Sequence, residues 1–200
     1  MRVDRFDAGR QPAGRAPAPG RLAFVQAFLN TFWDLDAHGA DVWADTPAYA
    51  AWLRARGFGG PGIVDADLAR AFETRGALRA LARANHDDAL APRAESVLDR
   101  VAGEVAPRAG LTPRFALEGD RVALDVAGNG PDAALALVLG VVLTARADGT
   151  WRRLKVCPHE DCGWAFYDRS RNRSSQWCSM TLCGNRTKGA RHRRRAVKAP

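Results

Sequence analysis

Four cysteines carry the most specific chemistry in the chain. Cys157 and Cys162 enclose four residues, 15 residues follow, and Cys178 and Cys183 enclose another four. Two close pairs joined by a short segment can set four sulfurs at the corners of a tetrahedron, about 2.3 Å from one zinc ion. Every cysteine of the chain belongs to one of these pairs, which favours a metal site over scattered buried thiols or disulfides. The spacing therefore predicts one structural Zn2+ held by Cys157, Cys162, Cys178 and Cys183. His159, inside the first pair, is either an alternative ligand or a surface histidine of the knuckle. A closed set of four cysteines leaves no coordination position for substrate, which disfavours hydrolytic zinc chemistry. No Ser-His-Asp, HExxH or phosphate-loop pattern occurs elsewhere, so the expectation is not an enzyme.

Basic residues surround this cluster. Arg169, Arg171 and Arg173 alternate and would share one side of an extended segment. After the last cysteine come Arg186, Lys188, Arg191, Arg193, Arg194, Arg195 and Lys198. At about 100° per residue their charges point in nearly every direction, which suits a helix inside a groove or a tail ordered on contact. The last 50 residues hold 13 Lys/Arg against three acidic groups, a charge of +10; the first 150 hold 17 against 19, a charge of −2. Four thiolates on a dication make the module roughly two units less positive and still basic. This asymmetry predicts a polyanionic partner, and nucleic acid fits because each neutralised phosphate releases counterions. A solvated, solubilising tail is the competing explanation of the run. Asn185 and Arg186 follow the last ligand directly. They are candidates for base-edge contacts, Arg with guanine and Asn with adenine; equally, Asn185 caps the final helix and Arg186 braces the knuckle.

The elements that must position these groups follow from hydrophobic spacing. Residues 1–20 read as a flexible arm ending in Pro17-Ala18-Pro19-Gly20. Leu22, Val25, Leu29 and Phe32 predict a helix that stops near Gly39. Asp45-Thr46-Pro47 starts another, and Trp52 and Leu53 give it an apolar side. After a loop over 57–62, a helix from Asp65 to Asn85 carries Leu68, Phe72, Leu78 and Leu81 inward, with Gly76 a weak spot. A fourth runs from about Arg93 to Val105. The period then changes to two, and Phe115 and Leu117 with Val122, Leu124 and Val126 predict a β-hairpin around Glu118-Gly119-Asp120. Helix 131–147 is apolar all round, which implies burial; its apolar run from Ala133 to Ala145 is too short to span a bilayer. Between the cysteine pairs, Trp164, Phe166 and Tyr167 before a polar tip (169–175) and Trp177 after it suggest a second hairpin. The fold class is α+β: a mainly helical N-terminal domain (21–149) with a small β-hairpin sheet, then a zinc module (150–195) of hairpin and helix, and a basic tail (196–200).

Other chemistry-bearing residues have ordinary explanations. Gly128-Asn129-Gly130 lacks the third glycine of a dinucleotide site, and a turn with Asp132 near the helix start accounts for it. His38 and His86 fall at predicted helix ends, where capping is the usual role. Trp33, Trp43 and Trp52 either line a ligand pocket or form core.

The stretch Cys157-Pro-His-Glu-Asp-Cys162-Gly-Trp-Ala-Phe-Tyr-Asp-Arg-Ser-Arg-Asn, with Trp177-Cys178-Ser-Met and Cys183-Gly184-Asn185-Arg186-Thr-Lys188, resembles the CGNR zinc finger. One departure is Ser175-Gln176 before Trp177, where the family pattern has arginines. Pro17 to Thr31 is similar to the start of the ABATE domain, which usually precedes that finger and is described as a stress-induced transcriptional regulator. The resemblance spans nearly the whole chain, and the finger is its more specific part. It implies DNA binding, transcription regulation and a role in stress response.

The combined expectation is a cytoplasmic, membrane-free transcriptional regulator. Its zinc module contacts duplex DNA, and its N-terminal domain senses a small-molecule or protein effector; such a regulator is compatible with a homodimer. The alternatives are an RNA-binding or ribosome-associated protein using the same module, and an enzyme with its pocket in 21–148 and the zinc piece as an appendage.

Overall fold

A computed structural model describes residues 8–9, 11–32, 41–115 and 122–189. Among the described residues, five α-helices build the apolar core: α1 Leu22–Leu29, α2 Thr46–Ala55, α3 Asp65–Ala84, α4 Pro92–Ala109 and α5 Gly130–Ala147. Two antiparallel ribbons complete the described structure, β1 Leu111–Phe115 with β2 Val122–Val126 and β3 Leu154–Val156 with β4 Ala165–Tyr167. The α+β class is thus as expected.

The local chemistry of each boundary is visible. The Asp45 carboxylate accepts from the Ala48 N–H at 2.8 Å and starts α2, with Pro47 in its first turn. The Asp67 carboxylate reaches back to the Val64 N–H at the start of α3. Helix α4 begins on Pro92 and ends on Gly110, whose φ of 60° lies in the left-handed region that glycine tolerates best. Helix α5 is buried along most of its length, from Ala133 to Val142 and again at Ala145, and packs against α1, α3, α4 and β2. Among the described helices it alone is long and apolar enough to cross a bilayer, but its burial identifies it as the core helix.

Two expectations change. Helix α1 ends at Leu29, ahead of Phe32, because Asn30 turns its amide away to β4 and the Thr31 hydroxyl bonds the Phe28 carbonyl. Phe72 is 37% exposed rather than inward. It lies beside Arg75, whose guanidinium sits 4.9 Å from both the Phe72 and Trp43 rings. Trp43 and Trp52 are core: Trp43 meets Phe28, Tyr49 and Trp52 edge-on at 5.0, 5.0 and 5.2 Å. Trp33, His38, Leu117 and the hairpin turn at 118–120 lie outside the described residues.

The same core continues into the cysteine region. Trp151, Leu154, Val156, Ala165 and Tyr167 are buried together with α1, α3 and α5, while Phe166, with the partly buried Trp164, Trp177 and Leu182, packs against the cysteines.

Candidate metal centre and nucleic-acid surface

The first cysteine pair sits in the turn joining β3 to β4. The strands pair Leu154 with Tyr167 and Val156 with Ala165. The turn closes through Cys157 N–H to the Trp164 carbonyl at 2.8 Å and Cys162 N–H to the His159 carbonyl at 3.0 Å. Trp164–Tyr167 therefore pairs upstream with 154–156, not forward with Trp177 as the sequence suggested. The four-residue knuckle brings those strands together, whereas the 168–177 stretch is folded on itself. In the second pair, Cys178 precedes and Cys183 lies within a wide helical turn, Met180–Gly184, capped by the Ser179 hydroxyl, which accepts from the Leu182 N–H at 3.3 Å. Residues 185–189 continue as helix.

These two turns bring all four sulfurs together. Cys157, Cys162, Cys178 and Cys183 are buried, with every Sγ within 4.8 Å of the others; Cys162 to Cys178 is 3.5 Å and Cys178 to Cys183 is 3.6 Å. A tetrahedron with bonds of about 2.3 Å has edges of roughly 3.8 Å, so the cluster has the size of a zinc site. The sulfurs cannot all ionise alone. Hydrogen bonds from Cys162 and Cys178 push the Cys157 thiol down, while Cys162 and Cys178 are pushed up by that same sharing. A dication removes the conflict by holding four thiolates together. His159 is not a fourth-ligand substitute: its Nδ1 accepts from the Asp161 N–H at 3.3 Å. One structural zinc ion is the cofactor that this site holds.

Side chains of the helical region fix the knuckle in place. Among the described residues the outer edge of β4 has no neighbouring strand, and Asn30 replaces one. Its Oδ1 accepts from the Ala165 N–H at 2.7 Å and its Nδ2 donates to the Ala165 carbonyl at 2.9 Å. Gln26 adds a donor to that carbonyl at 3.1 Å. Arg79 donates to the Gly163 carbonyl at 2.6 Å and to those of Leu29 and Phe32. Burial first, then Arg75 and Arg83, lower its pKa to about 10, so it stays charged at neutral pH. His86 Nε2 donates to the Val156 carbonyl at 2.8 Å, bracing β3 rather than capping α3. From the first 20 residues, Arg15 donates to the Trp177 and Cys178 carbonyls, each at 2.9 Å, and to the Ser175 hydroxyl at 3.2 Å. Gln11 and Ala18 are buried alongside.

The polar tip is organised by a buried ion pair, Lys155 with Asp168 at 3.0 Å, both essentially inaccessible to solvent. Burial alone would raise the Asp168 carboxyl. Hydrogen bonds from Ser170, Lys155 and Ser175 outweigh it and hold the group well below the usual carboxylate range. These bonds curl the loop, so Arg169, Arg171 and Arg173 do not lie along an extended segment. Arg169 is exposed and donates to the Pro17 carbonyl at 2.8 Å; Arg171 is exposed; Arg173 has φ 52° and lies 3.6 Å from Asp88. Asn185, Arg186 and Lys188 are exposed on the helical turn after Cys183. Arg191, Arg193, Arg194 and Arg195 lie outside the described residues.

Sequence reasoning passed over Asn30, Gln26, Arg15 and the Lys155–Asp168 pair. A lysine and an aspartate in otherwise apolar or aromatic strand ends were the available signal for the pair. For Arg15, in a Pro- and Gly-rich stretch, there was none.

A family model for the CGNR zinc finger matches residues 153–196, and one for ABATE, described as "Putative stress-induced transcription regulator", matches residues 22–165. No curated protein matches the chain. The two family matches overlap on 153–165, the strand–knuckle segment that is both metal site and part of the helical core. Because the second match covers well over half of the sequence, the chain belongs to the ABATE family and carries a CGNR zinc finger with one structural zinc.

Proposed function

We propose that this protein is a transcriptional regulator that binds duplex DNA through the surface around its zinc centre. The observation that carries this reading is the set of exposed cations, Arg169, Arg171, Arg186 and Lys188, on the loop and the turn that flank the closed sulfur cluster. The zinc has a scaffolding role, fixing the two turns relative to each other, while Asn185 and Arg186 meet base edges and the other cations meet phosphates. Arg173, half-exposed and close to Asp88, adds charge to this surface, and the run Arg191, Arg193, Arg194 and Arg195, next in the sequence, makes the segment more basic still. The helical region serves as the sensor of a small-molecule or protein effector. In support, among the described residues, the buried Trp43 Nε1 and Tyr49 hydroxyl in its aromatic core have no hydrogen-bond partner.

The test is binding of the full zinc-loaded chain to a random duplex pool, with salt and chelator varied and structured RNA as competitor. With about six to ten phosphate contacts, affinity falls roughly 10³–10⁵-fold between 50 and 200 mM salt, and enrichment disappears when zinc is stripped. A shallow salt slope, or enrichment that survives metal removal, refutes the mechanism. RNA outcompeting duplex would transfer the same surface to an RNA partner.

A further inference from the structure

Beside the sulfur cluster lies a cavity of about 330 Å³, lined by Arg15, the 174–177 stretch, Met180 and Lys188. Its size falls at the lower end of small-molecule sites, about 300–1,000 Å³. Its lining is mixed in an informative way. Trp177 is half-buried and packs on the cysteines with its other side. Met180 is 50% exposed, one of few large apolar side chains so open to solvent. The Gln176 amide and the Lys188 ammonium are exposed at the same cavity.

Gly184 explains how the floor is built. A methyl on its Cα would lie 2.7 Å from the Met180 sulfur and 3.2 Å from the Trp177 ring, so the missing side chain lets both lie against the knuckle backbone. Arg15 holds the facing wall, because its bonds to the carbonyls of Trp177 and Cys178 and to Ser175 fix the segment that presents Trp177. The pocket is therefore an indole-and-thioether surface bordered by the Gln176 amide, two serines and two cations, of which Arg15 is engaged by backbone carbonyls and Lys188 is exposed.

We infer that this cavity takes a single unstacked nucleobase, with the phosphate next to it on Lys188. The indole and the thioether cover the base, and the Gln176 amide, both donor and acceptor, meets its polar edge. Lys188 suits the phosphate as a flexible point charge. An unstacked base comes from two sources, a nucleotide displaced from a strand or a free mononucleotide, and both offer this chemistry. The inference rests on the nucleic-acid reading above and assigns that surface a second component besides phosphate contact.

The experiment compares the full zinc-loaded chain on a fully paired duplex, the same duplex carrying one unpaired, extrahelical nucleotide, and free AMP, GMP, CMP and UMP as competitors. The expected result is tighter binding to the bulged duplex. Trp177→Ala lowers that preference roughly 5- to 150-fold, the usual weight of one base stacked on an aromatic ring. Gln176→Ala, at an exposed position, reduces the preference and changes which base is favoured. Gly184→Ala, whose φ is compatible with alanine, pushes Met180 into the cavity and also reduces the preference. Zinc content and melting temperature of each variant separate pocket loss from misfolding. Competition by a mononucleotide at the bulge site identifies the free ligand as a source; competition by none assigns the pocket to strand nucleotides. Equal affinity for paired and bulged duplexes, with all three variants like wild type and no mononucleotide bound, overturns the pocket while leaving duplex binding intact. Failure of the wild-type chain to bind any nucleic acid or nucleotide overturns both.

Discussion

Replacing Asn30 by alanine tests whether the zinc knuckle and the helical core unfold as one unit. The Asn30 amide is the only partner that the described structure gives the Ala165 N–H, at 2.7 Å, in a buried setting. Stranding that donor costs about 1–3 kcal/mol. The Ala165 carbonyl loses one bond but keeps Gln26 at 3.1 Å, so its share is the net worth of an ordinary hydrogen bond, about 0.5–1.5 kcal/mol. The sum, about 1.5–4.5 kcal/mol, is a large part of a typical domain's 5–15 kcal/mol. Urea unfolding of the zinc-loaded chain, followed both by tryptophan fluorescence and by metal release to an indicator dye, checks it. If β4 belongs to the core, both signals move together to lower urea, with the slope unchanged. Two separate transitions, with metal release unmoved by Asn30→Ala, would refute the shared unit. So would a variant within about 0.5 kcal/mol of wild type, which would mean that the edge of β4 finds another partner.

Three further perturbations address the centre itself. Cys178→Ser removes a sulfur that lies 3.5 Å from that of Cys162 and 3.6 Å from that of Cys183, and is expected to abolish stoichiometric zinc, read by metal analysis, and to lower the melting of the helical region as well. Asp168→Asn leaves the Lys155 ammonium buried without its counter-charge, at a cost of about 3–5 kcal/mol by chemical denaturation. Because the folded Asp168 pKa is depressed, its contribution is fully present above the unfolded value of about 3.9 and fades as pH falls below it. The difference between wild type and variant is therefore expected to shrink below about pH 4. Gly163→Ala forces a side chain onto a φ of 60° and against the Arg79 guanidinium; about 1–3 kcal/mol of destabilisation is expected in thermal melts.

What could be read from the sequence was local. The cysteine spacing specifies its metal because four sulfurs and two short turns need little else. Asp45 and Pro47 announce α2, and the unbroken apolarity of 133–145 announces a core helix. Partner choice was not local. Trp164–Tyr167 has strand character whichever way it pairs, and only the closed knuckle and the curled 168–175 loop decide for Leu154–Val156. The curl depends on Asp168 meeting Lys155 across 13 residues, and the edge of β4 on an amide 135 residues away. Neither leaves a periodic trace. Phe72 obeyed the helical period but not burial, because it belongs to the rim where Arg75 covers the aromatic cluster. The contacts of Arg15 were invisible for the same reason as those of Asn30: a single polar side chain does not reveal a distant backbone partner.

The Asn30–Ala165 and Arg15–Cys178 contacts also order events in time. A chain made from its N-terminus presents Gln26 and Asn30 long before residue 165 exists. Until then, the inner face of α1 has no strand to meet; Gln26 has only its partners Gln11 and Ala18, and the Asn30 amide lacks its partners on Ala165. The last quarter of the sequence supplies both the missing strand and the sulfurs, so zinc capture and completion of the first helix's surroundings fall at the same late moment. In a zinc-starved cell the shortage would thus show first as incomplete maturation of newly made chains, before any loss of metal from those already folded.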